Sequence, residues 1–194
     1  MSRHTRRAFL KQAAASAGVA AGLTVAGPKA SGQVQGANDT IRVGVAGIRG
    51  RGGGHINELA KIDGVQVTHL IDPDSRQFDK RVKQVEARGG NTPKCFQDIR
   101  KALEDKDLDA VSIASCNHWH SLLTILSCQA GKDVYVEKPC SHNVFEGRKC
   151  VEAAEKYKRI VQHGTQSRSS SGWFKQAAAV ASGKYGKLLV SKGY

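Results

Sequence analysis

The chain has 194 residues, is 40% hydrophobic and 24% charged, and carries a formal net charge of +13. One domain, with at most the start of a second, fits that length, and the apolar fraction supports a packed core and excludes a wholly disordered chain. With 21 Gly and only 4 Pro it is neither collagen-like nor a Pro-rich linker protein.

The basic balance points first to nucleic acid or an anionic surface. That reading weakens once the charges are located. Arg3, Arg6, Arg7, Lys11 and Lys29 lie in residues 1–30, which hold no acidic residue; removing those five from 30 leaves 25 basic residues against 17 acidic ones. Aromatic residues make up only 6% and do not interleave with the basic ones, which argues against nucleic acid as a partner. Cys95, Cys116, Cys128, Cys140 and Cys150 are odd in number and lack C-x-x-C spacing, so no complete disulfide framework forms within the chain. Buried free thiols are the plain reading. No carboxylate or Cys accompanies the histidines at ligand spacing, so no metal site is expected.

In chain order, Thr5-Arg6-Arg7-Ala8-Phe9-Leu10-Lys11 comes first, followed by an uncharged Ala- and Gly-rich stretch from Gln12 to Pro28. That stretch is too short and too mildly apolar for a membrane anchor and reads as a signal h-region. The paired arginines resemble a twin-arginine translocation signal. Residues 1–36 are therefore expected to be a signal and linker recognised by the twin-arginine export machinery. The protein would be exported already folded, to a periplasmic or other extracytoplasmic place. A basic disordered N-terminus is the alternative.

From Ile41 short β-like runs alternate with helical stretches. Strands are predicted at 41–46, 65–71, 94–96, 110–115, 134–137 and 159–162. Helices are predicted at 52–61, 75–88, 98–104, 120–130 and 144–157, with Gly89-Gly90 and Gly131 as stop signals. This alternation predicts an α/β fold, a doubly wound parallel sheet of the Rossmann type over residues 38–165. After Gly164 a polar Ser-rich stretch precedes a predicted helix at 173–182 and a strand starting at 186–190. Residues 166–194 thus read as the start of a second α/β domain that the chain leaves incomplete.

Gly47-Ile48-Arg49-Gly50-Arg51-Gly52 lies between the first strand and the first helix. It fits G-x-G-x-x-G at the first and third glycines, with Arg49 in place of the second. Gly47, Ile48, Arg49, Gly50 and Gly52 are the candidate cofactor contacts of this turn. A Gly-rich turn without a ligand is the alternative. Asp72 closes the second strand, 20 residues after Gly52, where a carboxylate accepts from a ribose 2′-hydroxyl and repels a 2′-phosphate. That favours NAD, whereas Arg49, Arg51 and Arg76 keep NADP open, and Arg76 is a candidate cofactor contact. A strand-ending turn residue before Pro73 is the other reading of Asp72.

Further polar residues fall at the carboxyl ends of strands, where open parallel sheets bind ligands. Asn117-His118-Trp119-His120 follows the fourth strand, Glu137-Lys138-Pro139 the fifth, and His163 the sixth. Lys138 is the candidate catalytic residue, able to hydrogen-bond a substrate hydroxyl and move its proton. A surface lysine is the alternative. His120 is a second catalytic and cofactor-facing candidate, against simple packing. Asn117, Glu137 and Lys138 itself are further cofactor candidates, Asn117 against a simple turn or helix cap.

These residues together resemble the Gfo/Idh/MocA family of oxidoreductases over Ile41 to about Val190. Glu137-Lys138-Pro139 after Gly131-Lys132-Asp133-Val134-Tyr135-Val136 is the most specific marker. Asn117-His118-Trp119-His120 and Arg49-Gly50-Arg51-Gly52 support it, while Cys116 stands where a proline is common. The resemblance implies a Rossmann domain followed by a C-terminal α/β domain. It implies hydride transfer between NAD(P) and a sugar, polyol or related carbonyl compound, Lys138 as the catalytic lysine, and a homo-oligomer at full length. The family's second acid/base group, a histidine near an aspartate, lies in the C-terminal domain and has no match here. A glycosidase using transient oxidation by bound NAD and a non-catalytic nucleotide-binding module are the alternatives.

Overall fold

The computed structural model describes residues 40–192. The expected signal in residues 1–36 lies outside them. Among the described residues there are six strands: β1 Ile41–Ala46, β2 Val65–Ile71, β3 Lys94–Phe96, β4 Ala110–Ile113, β5 Asp133–Glu137 and β6 Val161–Gly164. Six α-helices lie between and after them: α1 Arg51–Leu59, α2 Phe78–Gly89, α3 Ile99–Leu103, α4 Asn117–Gln129, α5 Val144–Tyr157 and α6 Ser171–Ala181. The strands form one sheet in the order β3-β2-β1-β4-β5-β6, and every pairing is parallel.

Parallel strands are covered on both faces, so neighbouring residues on one strand bury in opposite directions. Val45 and Leu70 pack with Ile48, Ile56, Val67 and Val85 beneath α1 and α2. Ala46 and Ile71, one residue further along, pack on the other face with Ile99, Leu123, Val136 and Ala153 of α3, α4, β5 and α5. The order reverses between β1 and β4. The connections leaving these two strands run in opposite directions and leave a crevice at their carboxyl ends.

The N-termini of the helices differ in capping. Asp98 caps α3 by accepting from the Arg100 amide at 2.9 Å, and Asn143 caps α5 by accepting from the Glu146 amide at 2.9 Å. Neither α1 nor α4 has a side-chain cap.

Two expected boundaries shift for clear reasons, and one expected strand does not form. Helix α4 starts at Asn117 rather than at His120, because the extended Cys116 is already its N-cap. Asn117, His118 and Trp119 are therefore its first turn. Strand β6 starts at Val161, since Lys158 takes a left-handed conformation after α5 and the Ile160 amide is spent on the Asp133 carboxylate at 2.9 Å. His163 thus stands inside β6, opposite Val136. Gly186–Val190 forms no strand; a strand needs a hydrogen-bonded neighbour, and β6, the edge on that side, pairs only with β5. The cysteines also differ from expectation. Cys128 and Cys150 are buried thiols, but Cys95 and Cys116 are exposed and Cys140 is half-buried.

Candidate functional site

The turn from β1 into α1 is built on two close approaches. Gly47 has φ +83°, and a Cβ there would lie 2.6 Å from the Ser115 backbone after β4. A Cβ on Gly52 would fall on the carbonyl oxygen of Gly47. Only glycine permits either contact. The turn therefore lies flat against the neighbouring loop, and α1 starts directly over it.

Asp72 holds the turn from the other side. Its carboxylate accepts from the Ile48 amide at 3.0 Å and from the Asp74 amide at 2.9 Å, and the residue is buried. A carboxylate has about four acceptor positions, so these bonds leave capacity for another donor. Arg76 is paired with Asp74, Nε to Oδ1 at 2.7 Å, and is largely exposed.

Behind the crevice runs a buried polar chain. Arg51 Nε donates to Glu137 Oε1 at 2.6 Å. His55 Nε2 lies 2.9 Å from the same oxygen, and His55 Nδ1 lies 2.8 Å from Ser112 Oγ. A carboxylate only accepts, so Nε2 carries the proton toward Glu137 and the Ser112 hydroxyl is free to donate to Nδ1. The His55 ring also meets Tyr135 edge-on at 5.5 Å. Burial pushes the Glu137 carboxyl up, but its bonds to Arg51 and His55 outweigh burial and bring it down to about 2. Glu137 is thus a buried anion whose other oxygen accepts from the Lys138 amide at 3.3 Å.

Lys138 is exposed, and the Lys138–Pro139 peptide is cis. A cleft of about 300 Å³ is lined by Arg51, Ala114, Ser115, Asn117, His120, Glu137, Lys138 and Gln166. With its amide turned to satisfy both ends, Gln166 accepts from Arg51 Nη2 at 3.1 Å and donates to the Gly164 carbonyl at 2.7 Å.

The structure brings Lys138, Asn117, His120 and Glu137 together around this cleft, and Asp72 to the Gly47 turn. Three of the candidates are held by the protein's own groups. His120 is 1% exposed, with Nδ1 2.6 Å from the Pro139 carbonyl and Nε2 3.0 Å from the Ser115 carbonyl. Each ring nitrogen faces a main-chain carbonyl, and whichever carries the proton donates to it, so the ring braces the loops after β4 and β5 from the wall of the cleft. Ile48 is fully buried, with its amide on Asp72 and its carbonyl on Arg81, so it offers no free contact to a cofactor. Glu137 faces Arg51 and His55, with 5% of its surface accessible. His118 and His163 are exposed and do not line the cleft.

Sequence reading missed His55, Ser112, Arg81 and Gln166. Each reaches the site by a contact from a distant part of the chain, which local spacing does not reveal. The one available signal was Gly53, a helical glycine with no turn to make.

A parallel sheet that reverses at β1/β4, a glycine-built turn at the reversal and an acid after β2 define a dinucleotide-binding domain. The exposed Arg49-Gly50 backbone, on a turn whose tight packing requires Gly47 and Gly52, fits the pyrophosphate of such a group. Residues 41–165 match the Gfo/Idh/MocA oxidoreductase family, which has an NAD-binding Rossmann fold, and the chain belongs to it. It is 32% identical over 135 residues to a glycosyl hydrolase family 109 protein of Shewanella pealeana, covering 68% of this chain and 30% of that one. It is 27% identical over 158 residues to inositol 2-dehydrogenase of Salmonella paratyphi B, covering 79% and 45%. The crystal structure of scyllo-inositol dehydrogenase from Lactobacillus casei with NAD(H) and scyllo-inositol shares the fold, with TM-score 0.68, 23% identity and coverage of 76% and 43%. The chain thus spans less than half the length of each of these relatives.

Proposed function

We propose that this chain is the cofactor-binding part of an NAD-dependent oxidoreductase acting on a sugar or polyol. The supporting observation is the shared edge of the sheet: the Gly47 turn, Asp72 and the free side chain of Lys138 all lie at the carboxyl ends of its strands. The Arg49-Gly50 backbone would receive the pyrophosphate and Asp72 an adenosine ribose hydroxyl. When bound, the nicotinamide accepts or returns the hydride. Lys138 handles the proton: as the neutral amine, Nζ takes it from the substrate hydroxyl, and as the ammonium it returns it to the carbonyl oxygen. Glu137 and His120 hold the main chain on either side of Lys138. The test is NADH titration by fluorescence, followed by polyol oxidation with NAD. Absence of NADH binding overturns the reading.

The likeness to glycosyl hydrolase family 109 supports a second reading, in which NAD is reduced and reoxidised within one turnover. A glycosidase would release sugar without accumulating NADH, whereas a dehydrogenase accumulates NADH in step with product.

Export by the twin-arginine route completes the proposal. It rests on Arg6-Arg7 before Phe9-Leu10-Lys11 and suits a protein that binds a cytosolic cofactor before export. Unchanged export of an Arg6-Arg7→Lys-Lys variant would remove this part.

A further inference from the structure

Resting on the reading that the Gly47 turn receives a dinucleotide, we propose that Arg81, admitted by Gly53, is a positioning residue for the pyrophosphate-binding backbone. Arg81 stands on α2 and reaches back over α1. Its Nε donates to the Ile48 carbonyl at 2.6 Å, and its Nη2 donates to the Arg49 carbonyl. Its Nη1 donates to Gln84 Oε1 at 2.5 Å. Gln84 is itself fixed, donating through Nε2 to the Gly53 carbonyl and to Asn57 Oδ1, each at 2.8 Å. One planar guanidinium therefore holds two consecutive carbonyls of the turn.

The consequence follows from peptide geometry. In a trans peptide the C=O and the following N–H point in opposite directions. Turning the Ile48 and Arg49 carbonyls toward Arg81 turns the Arg49 and Gly50 amides away from it. Among the described residues neither of these amides has a hydrogen-bond partner, and both residues are exposed. Two adjacent free N–H groups on an exposed turn make an anion-receiving surface. A second glycine in this turn would let the backbone approach a phosphate, but Arg49 occupies that place. Here the orientation of the peptides, imposed by Arg81, does the corresponding work.

Gly53 supplies the independent observation. A Cβ built on it would overlap the Arg81 guanidinium, whose atoms are the three nearest to that point. Its backbone is ordinary helix within α1, where glycine is less favourable than alanine. The glycine is thus disadvantageous for the helix and is explained by the side chain passing over it.

Gly53→Ala is the decisive variant, because it favours the helix while displacing the far end of Arg81. Arg81→Leu and Arg81→Lys accompany it, since lysine keeps the charge but cannot hold two carbonyls in one plane. NADH and ADP-ribose affinity would be read by fluorescence titration and displacement, adenosine binding by ligand-observed NMR, and folding by thermal melts. For all three variants NADH and ADP-ribose should weaken about tenfold, the loss expected for misaligned charge-assisted contacts. Adenosine should bind as in the parent, and Gly53→Ala should melt no lower than the parent. NADH affinity within about twofold of the parent in Gly53→Ala and Arg81→Lys overturns the proposal, as does an equal loss for adenosine. A parent protein that does not bind NADH overturns the cofactor reading itself, and this inference with it.

Discussion

Arg51 and Glu137 meet at 2.6 Å across 86 residues of sequence and tie the first residue of α1 to the last residue of β5. The pair joins the helix that rises from the Gly47 turn to the strand that delivers Lys138. Arg51 is half-exposed and Glu137 is buried, so the carboxylate depends on its partners far more than the guanidinium does.

That dependence gives a pH signature. Glu137 is held at about 2, against an ordinary value of 4.5. A depressed carboxylate contributes stability that is fully present above its unfolded value and is lost as pH falls through its folded one. The window is therefore about pH 4.5 down to about pH 2. Glu137→Gln should cost roughly 3 kcal/mol at neutral pH, by the free energy equivalent to the shift. The gap between parent and variant, read by urea unfolding, should close toward about pH 2. A gap of constant size across that range would show that charge plays no part.

Lys138 can be separated from cofactor binding. Its side chain is free in the cleft, while its main chain is held by Glu137. Lys138→Met should lower turnover of a polyol by about 10²–10⁴-fold, the usual contribution of a positioned acid/base group. NADH affinity and melting temperature should stay near the parent's. Full activity in Lys138→Met would remove the lysine from the reaction.

His120 is expected to act on stability first. Each of its ring nitrogens is within hydrogen-bond reach of a carbonyl, those of Pro139 and Ser115. His120→Ala leaves both loops unbraced and opens a hole beneath α4. A loss of about 1 kcal/mol is expected from the lost hydrogen bond alone, read as a lower denaturant midpoint. A variant of unchanged stability but abolished turnover would instead restore a chemical role for the ring.

How far the sequence revealed this arrangement depends on the range of each interaction. Gly47, Gly52 and Lys138 were legible because each belongs to a local run beside a strand end, and the parallel sheet follows from strand–helix alternation. The contacts of His120 and Glu137 were not legible, since their partners come from distant parts of the chain, Pro139 for His120 and Arg51 and His55 of α1 for Glu137. Arg81 looks like any charge on an amphipathic helix until α2 is placed against the turn, 33 residues earlier in the chain. Gly186–Val190 shows the converse: β-like residues alone make no strand when no neighbour pairs with them.

Asp72 provides the last test, because one carboxylate is tied into the fold and also carries the proposed choice of cofactor. It accepts from the Ile48 and Asp74 amides, so Asp72→Ala leaves a buried donor at Ile48 without its partner. Such a group costs about 1–3 kcal/mol, which should appear as lower stability in the absence of any ligand. Asp72→Asn keeps an acceptor for one amide but lacks the negative charge that repels a 2′-phosphate. The parent should therefore bind NAD more tightly than NADP, and Asp72→Asn should narrow that preference while retaining most of the stability lost in Asp72→Ala. Arg76 sharpens the comparison. Its guanidinium is occupied by Asp74 and is not free for a phosphate unless that pair opens. Side-by-side NAD and NADP titrations of the parent, Asp72→Asn and Asp74→Ala decide the matter. Tighter NADP binding by the parent would mean that the exposed arginines outweigh Asp72.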